Sequence, residues 1–167
     1  MDMKIMNFLD VYNVTIAAIA TIFAGILGPH WYIFGAFLLL NVFDFLTGWY
    51  KSRKLHTESS SAGLNGIIKK VFYWIIIVVA FLIAYIFMAL GNEILGKDLD
   101  FLALIGWFTV ACLIINEIRS VFENLAECGV EVPEVLIKGL AVTEKLIKNQ
   151  ADEQIPDENT EKTKTEE

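Results

Sequence analysis

The chain has 167 residues, is 56% hydrophobic, and sets 13 Lys and Arg against 20 Asp and Glu for a net charge of −7. With a mean hydropathy of +0.55 and its charges gathered in the connections and the last quarter, it reads as a one-domain, all-α integral membrane protein and not as a water-soluble globule. Residues 126–167 hold eleven acids and five bases, nearly the whole excess, so the acidity belongs to a tail, and the only basic cluster lies beside the apolar spans, where lipid and not nucleic acid is the expected anionic neighbour.

The N-terminus, MDMKIMNFLD, sets one lysine against two aspartates, a poor start for a cleaved signal peptide, so the apolar run at 11–28 is expected to stay as a first span. At about 27 Å as a helix it is slightly short of a hydrocarbon core near 30 Å. Gly28, Pro29 and His30 then break the helix, and Trp31 and Tyr32 supply interfacial rings that open a second span running to about Tyr50. Along this span Asn41, Asp44, Gly48 and Lys51 fall within about 80° of one another at 100° per residue, and Thr47 widens the same face. Such a polar stripe faces another helix or a water-filled lesion; the plainer account is a shallow, tilted helix end.

Residues 51–70 read as a basic, serine- and glycine-rich loop carrying Lys51, Arg53, Lys54, Lys69 and Lys70 against Glu58. The third span, 71–91, has no charge, and a shorter fourth span at about 101–116 is expected to continue as an amphipathic helix toward Leu125. The loop at 92–100 carries Glu93, Asp98 and Asp100 against Lys97, so the positive-inside rule puts residues 51–70 and both termini in the cytoplasm. If the fourth segment only lay on the surface, the tail would instead be external. Asn116, Glu117, Ser120, Glu123, Asn124 and Glu127 recur at three-to-four spacing, which reads as a solvated face, with a pore lining as the sharper alternative.

Gly129 is placed to end that helix in the left-handed region and Pro133 to begin another at its first position. The expected organisation is a membrane domain at 1–125, an amphipathic helix within 126–149 and a disordered acidic tail at 150–167, too poor in apolar residues to bury anything.

Two small-residue rows in the first span, Ala17, Thr21 and Gly25, and Ala20, Ala24 and Gly28, would let a partner backbone approach, either from a second copy or from the next span. Cys112 and Cys128 form no CxxC pair and have no histidine at metal spacing, and His30 and His56 fall in connections on opposite sides of the predicted membrane. Nucleophile elbow, zincin and P-loop signatures are absent, so no enzyme, cofactor or metal site is expected. A small transporter using Asp44 and a membrane-anchored scaffold with an acidic tail stay open as alternatives.

Asp44, Thr47 and Gly48, followed by Ser60, Ser61, Gly63, Gly66, Lys69 and Lys70, with Gly129 and Pro133 before a short helix, resemble the phage holin family that includes the toxin-secretion holins of clostridia. The likeness covers roughly residues 31–149. It implies a protein that oligomerises in the bacterial cytoplasmic membrane and opens lesions giving an endolysin, or a toxin, access to the far side. It implies no catalytic residues, and its motif positions are expected to serve structure or assembly. Starts at Met3 or Met6 would permit an antiholin partner, although chance placement of methionine is the plainer account.

Overall fold

The computed structural model describes residues 13–15, 17, 18, 21 and 28–154. The chain divides into two units, Met1–Leu39 and Leu40–Glu167. In the first, residues 13–15, 17, 18 and 21 are helical, and Thr21 Oγ1 donates to the Ala17 carbonyl at 2.7 Å. The rest of the span expected at 11–28, and with it most of both small-residue rows, lies outside the described residues. Gly28 adopts φ +77°, Pro29 and His30 turn, and the Trp31 N–H reaches the Gly28 carbonyl at 3.3 Å, which starts helix α1 (Trp31–Lys54) where expected.

In the second unit the remainder of α1 is followed by α2 (Ser60–Leu90), a π-helical turn (Gly91–Leu95), a short 3-10 turn (Asp100–Leu102), α3 (Ala103–Glu127) and α4 (Glu134–Gln154). Among the described residues there is no strand. Among the described residues three helices are long and apolar enough to cross a membrane: Trp31–Lys54, Ser60–Leu95 and Asp100–Glu127. Their outward side chains are apolar, with Val71, Phe72, Ile75, Val78 and Leu82 all exposed on α2, the reverse of a helix in a soluble protein.

The connection between α1 and α2 departs from the expected loop at 51–70. Lys51, Arg53 and Lys54 form the last turn of α1, where cations favour the negative helix end, and Lys69 and Lys70 lie inside α2. His56 takes the left-handed position at φ +53°, with its own N–H bonded to Arg53 O and the Thr57 N–H bonded to Ser52 O, so α1 ends in a Schellman turn built on a non-glycine residue. Three residues later the Ser59 hydroxyl caps α2 by accepting from the Ala62 N–H at 3.5 Å. The serine-rich run is therefore a helix start, and the third span is extended on that end by residues 60–70.

α2 and α3 form an antiparallel hairpin. Their interface is built on small residues: Ala80 and Ala84 of α2 and Gly106 of α3 are buried. A Cβ on Gly106 would sit 2.5 Å from the Phe81 ring, which stacks edge-on against Trp107 at 5.2 Å between centroids. α3 is one continuous helix through the expected fourth span to Glu127. Gly129, at φ +78°, ends it in a second Schellman turn, with Val130 N–H on Leu125 O and Gly129 N–H on Ala126 O. Pro133 stands one place earlier than expected: its carbonyl receives the Ile137 N–H, which makes it the cap and Glu134 the first helical residue. α4 packs on α3 and reaches Gln154, so residues 150–154 of the expected tail are helical and the rest of it, 155–167, falls outside the described residues.

Filling the Gly106 contact should separate the hairpin. Gly106→Val is expected to lower stability by about 1–3 kcal/mol, whereas Gly139→Ala, in open space on α4, should raise it by up to about 1 kcal/mol. Denaturation in detergent followed by far-ultraviolet circular dichroism measures both, and equal effects would remove the close-packing account.

Candidate functional site

Three stripes with related spacing meet in the second unit: Asn41, Asp44, Gly48 and Lys51 on α1, Gly63, Gly66 and Lys70 on α2, and Glu117, Ser120, Asn124 and Glu127 on α3. At their meeting point Lys70 Nζ donates to Asp44 Oδ2 at 2.8 Å and to Glu117 Oε2. Asn124 Nδ2 donates to Asp44 Oδ1 at 3.0 Å and to Thr47 Oγ1 at 3.3 Å, and the Thr47 hydroxyl donates back to the Phe43 carbonyl at 2.8 Å. One ammonium thus serves two carboxylates from two other helices, with side-chain exposures of 15% for Lys70, 18% for Asp44 and 2% for Glu117.

The cluster stands at one edge of the apolar layer. From Lys70 to Glu93 the chain runs uncharged through residues 71–92, about 33 Å of helix and close to a hydrocarbon thickness. At that depth a pair or triad of charges is sustained by mutual neutralisation and by donors such as Asn124, and an unpaired carboxylate would be expensive.

Beyond the cluster, α1 is tied to the end of α3 by two more bonds. Lys51 pairs with Glu127 at 3.3 Å, and Lys54 Nζ donates to the Cys128 carbonyl at the negative end of α3. The ends of α1 and α3 therefore share one side of the bundle, which makes Asp100–Glu127 a return crossing antiparallel to α2. Arg53 bonds Glu58 at 3.0 Å and lies 4.9 Å from the Trp49 ring centroid, outside the cluster.

An open groove of about 550 Å³ separates the C-terminal half of α1 from the start of α2. Gly48, Gly63 and Gly66 line it, together with Asp44, Lys70 and Asn124. A Cβ on Gly63 or Gly66 would meet nothing within 4 Å, so these glycines keep the groove wide.

A model of the bacteriophage holin family matches residues 21–145. The chain belongs to that family. An uncharacterised protein, BH0965, of Halalkalibacterium halodurans is 30% identical over 127 residues, covering 75% of this chain and 89% of its own. An uncharacterised 14.9 kDa protein in the nagH 3′ region of Clostridium perfringens is 34% identical, covering 80% and 93%. A probable holin of Bacillus phage phi105 is 29% identical over 64% of this chain and 70% of that protein. No solved structure matches the chain.

In this holin-family chain the sequence-marked residues separate into groups. Asp44, Thr47, Gly48 and Lys70 come together, joined by Glu117 and Asn124, which the pattern had put on a solvated face. That reading is corrected: Glu117 and Asn124 are buried, whereas Glu123 and Glu127 are exposed. Asn41 is buried one turn from Asp44, Ser60 and Ser61 belong to the start of α2, and Lys69 turns away to lie 5.5 Å from the Tyr73 ring. Gly129 and Pro133 shape the turn into α4. The signal that could have found Glu117 is its 3-4-3 spacing with Ser120, Asn124 and Glu127, the same register as Asn41, Asp44, Gly48 and Lys51. Among the described residues no cluster of His, Cys, Asp or Glu has metal-binding geometry.

Removing the shared cation should leave two carboxylates facing each other at the membrane edge. Lys70→Met is expected to cost about 3–5 kcal/mol and Asn124→Ala about 1–3 kcal/mol. Pulse proteolysis in detergent across a denaturant series would read both, and a neutral Lys70→Met would show that the pairing carries no stability.

Proposed function

We infer that this holin-family protein is a lesion-former of the bacterial cytoplasmic membrane. It accumulates as a multi-pass protein with both termini cytoplasmic, associates with copies of itself, and at a threshold opens holes through which an endolysin, or in another setting a toxin, gains access to the far side. The observation that carries this reading is the ionic cluster of Asp44, Lys70 and Glu117, contributed by all three described membrane-length helices in a chain of this family. Helices in lipid associate through close packing and polar contacts, and both means are at hand here. The family membership and the phage relative named a probable holin support the same assignment. No direct contact with the endolysin is needed, and an antiholin made from Met3 or Met6 would act by joining the same assembly.

A transporter using Asp44 is the competing reading. Against it, Asp44 is occupied by Lys70 and Asn124, and Glu117 shares the same lysine, an arrangement suited to holding helices together.

Induced synthesis in bacteria, with membrane potential and viability followed together, tests the assignment. Delayed, abrupt depolarisation is expected, with lysis only when a muralytic enzyme is also present. Graded, substrate-dependent flux in cells that stay viable would instead establish transport.

A further inference from the structure

The second unit is held together in two different ways. α2 packs on α3 through Gly106, Phe81 and Trp107, and α4 packs on α3, so these three helices make close backbone-level contact. α1 reaches them across a groove, through long polar side chains: Asp44 to Lys70 and Asn124, Lys51 to Glu127, and Lys54 to the Cys128 carbonyl. The glycines lining that groove offer little surface for dispersion contacts, so separation of α1 from α2 there is opposed mainly by charge.

We propose that the C-terminal half of α1 is a detachable arm, latched to α2 and α3 by the Asp44–Lys70–Glu117 cluster and by Lys54 over Cys128, and that its release is the step that precedes lesion opening. The proposal rests on the lesion-forming reading and adds to it the element that moves.

Asp44, Lys70 and Glu117 cannot be turned toward hydrocarbon singly, so an arm that leaves must exchange its partners for water or for the same residues of other copies. Deeper than the edge of the apolar layer a lone molecule offers neither, and a crowd of copies offers both. The latch therefore stays shut at low density and yields at high density, and the residues that close it in one copy become the wet lining of the assembly. In this account Glu117, Asn124 and Lys54 are positioning residues for α1.

Cys128 reports the arm directly, because it is 4% exposed and its carbonyl is held by Lys54. In a Cys112→Ser background, a water-soluble maleimide applied to permeabilised membranes at low protein density should label Cys128 slowly. Lys70→Met should speed that labelling by at least about tenfold, and Lys70→Arg, which keeps the cation, should leave it slow. Unchanged labelling in Lys70→Met would overturn the latch whatever the protein does to cells.

A second measurement separates the latch from the lesion. Lys51→Cys with Glu127→Cys, in a chain with both native cysteines replaced by serine, can be bridged by a bifunctional methanethiosulfonate and freed by a reductant. Bridged protein should leave the potential intact, and reductant should bring depolarisation no later than in the wild type, since one attachment is already gone. Depolarisation with the bridge in place would overturn the moving arm while leaving the lesion-former intact. If neither the freed protein nor its cysteine-free parent depolarises, both readings are overturned.

Discussion

The bundle depends on one lysine shared between two carboxylates at the edge of the apolar layer. In a membrane the usual drive for helix association is missing, because lipid tails satisfy apolar side chains as well as a neighbouring helix does. What remains is shape and polarity, and this chain divides them. The α2–α3 pair uses shape, with Gly106 admitting the Phe81 ring, and α1 uses polarity, with Asp44 reaching Lys70 and Asn124. Removing shape would leave the hairpin held at one end by Lys70 on Glu117 and by Asn116 on Tyr73, whereas removing charge would part α1 from a hairpin still closed at Gly106.

Much of the architecture is legible in the residues because the signals are local. An uncharged run such as 71–91 is a span by its own composition, Gly28-Pro29 is a break by its own stereochemistry, and Gly129 is a helix end by its own φ. Asp44 stands out for the same reason, as an acid inside an apolar run. Glu117, which shares Lys70 with Asp44, stands out less, because its polar series continues through exposed Glu123 and Glu127 and only its 3-4-3 register with Ser120, Asn124 and Glu127 points to an inward face. The segment at 51–70 misled through composition: glycines and serines suggested a loop, while Ser59 was acting as a cap and the helix had already begun. Local chemistry decides where elements start and stop, and long-range pairing decides which face is inside.

The same division explains why the residues that carry the resemblance have unequal roles. Asp44 and Lys70 are fixed by their partners, and Gly63 and Gly66 by the space they leave open. The serines owe their position to the backbone of α2. A Cβ on Gly48 would lie 3.5 Å from the Asn124 amide, an ordinary contact, so its small size eases the approach of α3 without being demanded by it.

The order of the charges along the chain has a bearing on how the protein enters the bilayer. Asp44 and Lys70 lie on the first two described membrane-length helices and emerge from the ribosome before Glu117. Each offsets the other's cost in lipid, so α1 and α2 can bring both groups to the edge of the apolar layer together. Glu117 arrives with the last crossing and finds a lysine already engaged. The last helix thus docks onto a pair that is already made, and its buried carboxyl is the final member to join the lysine.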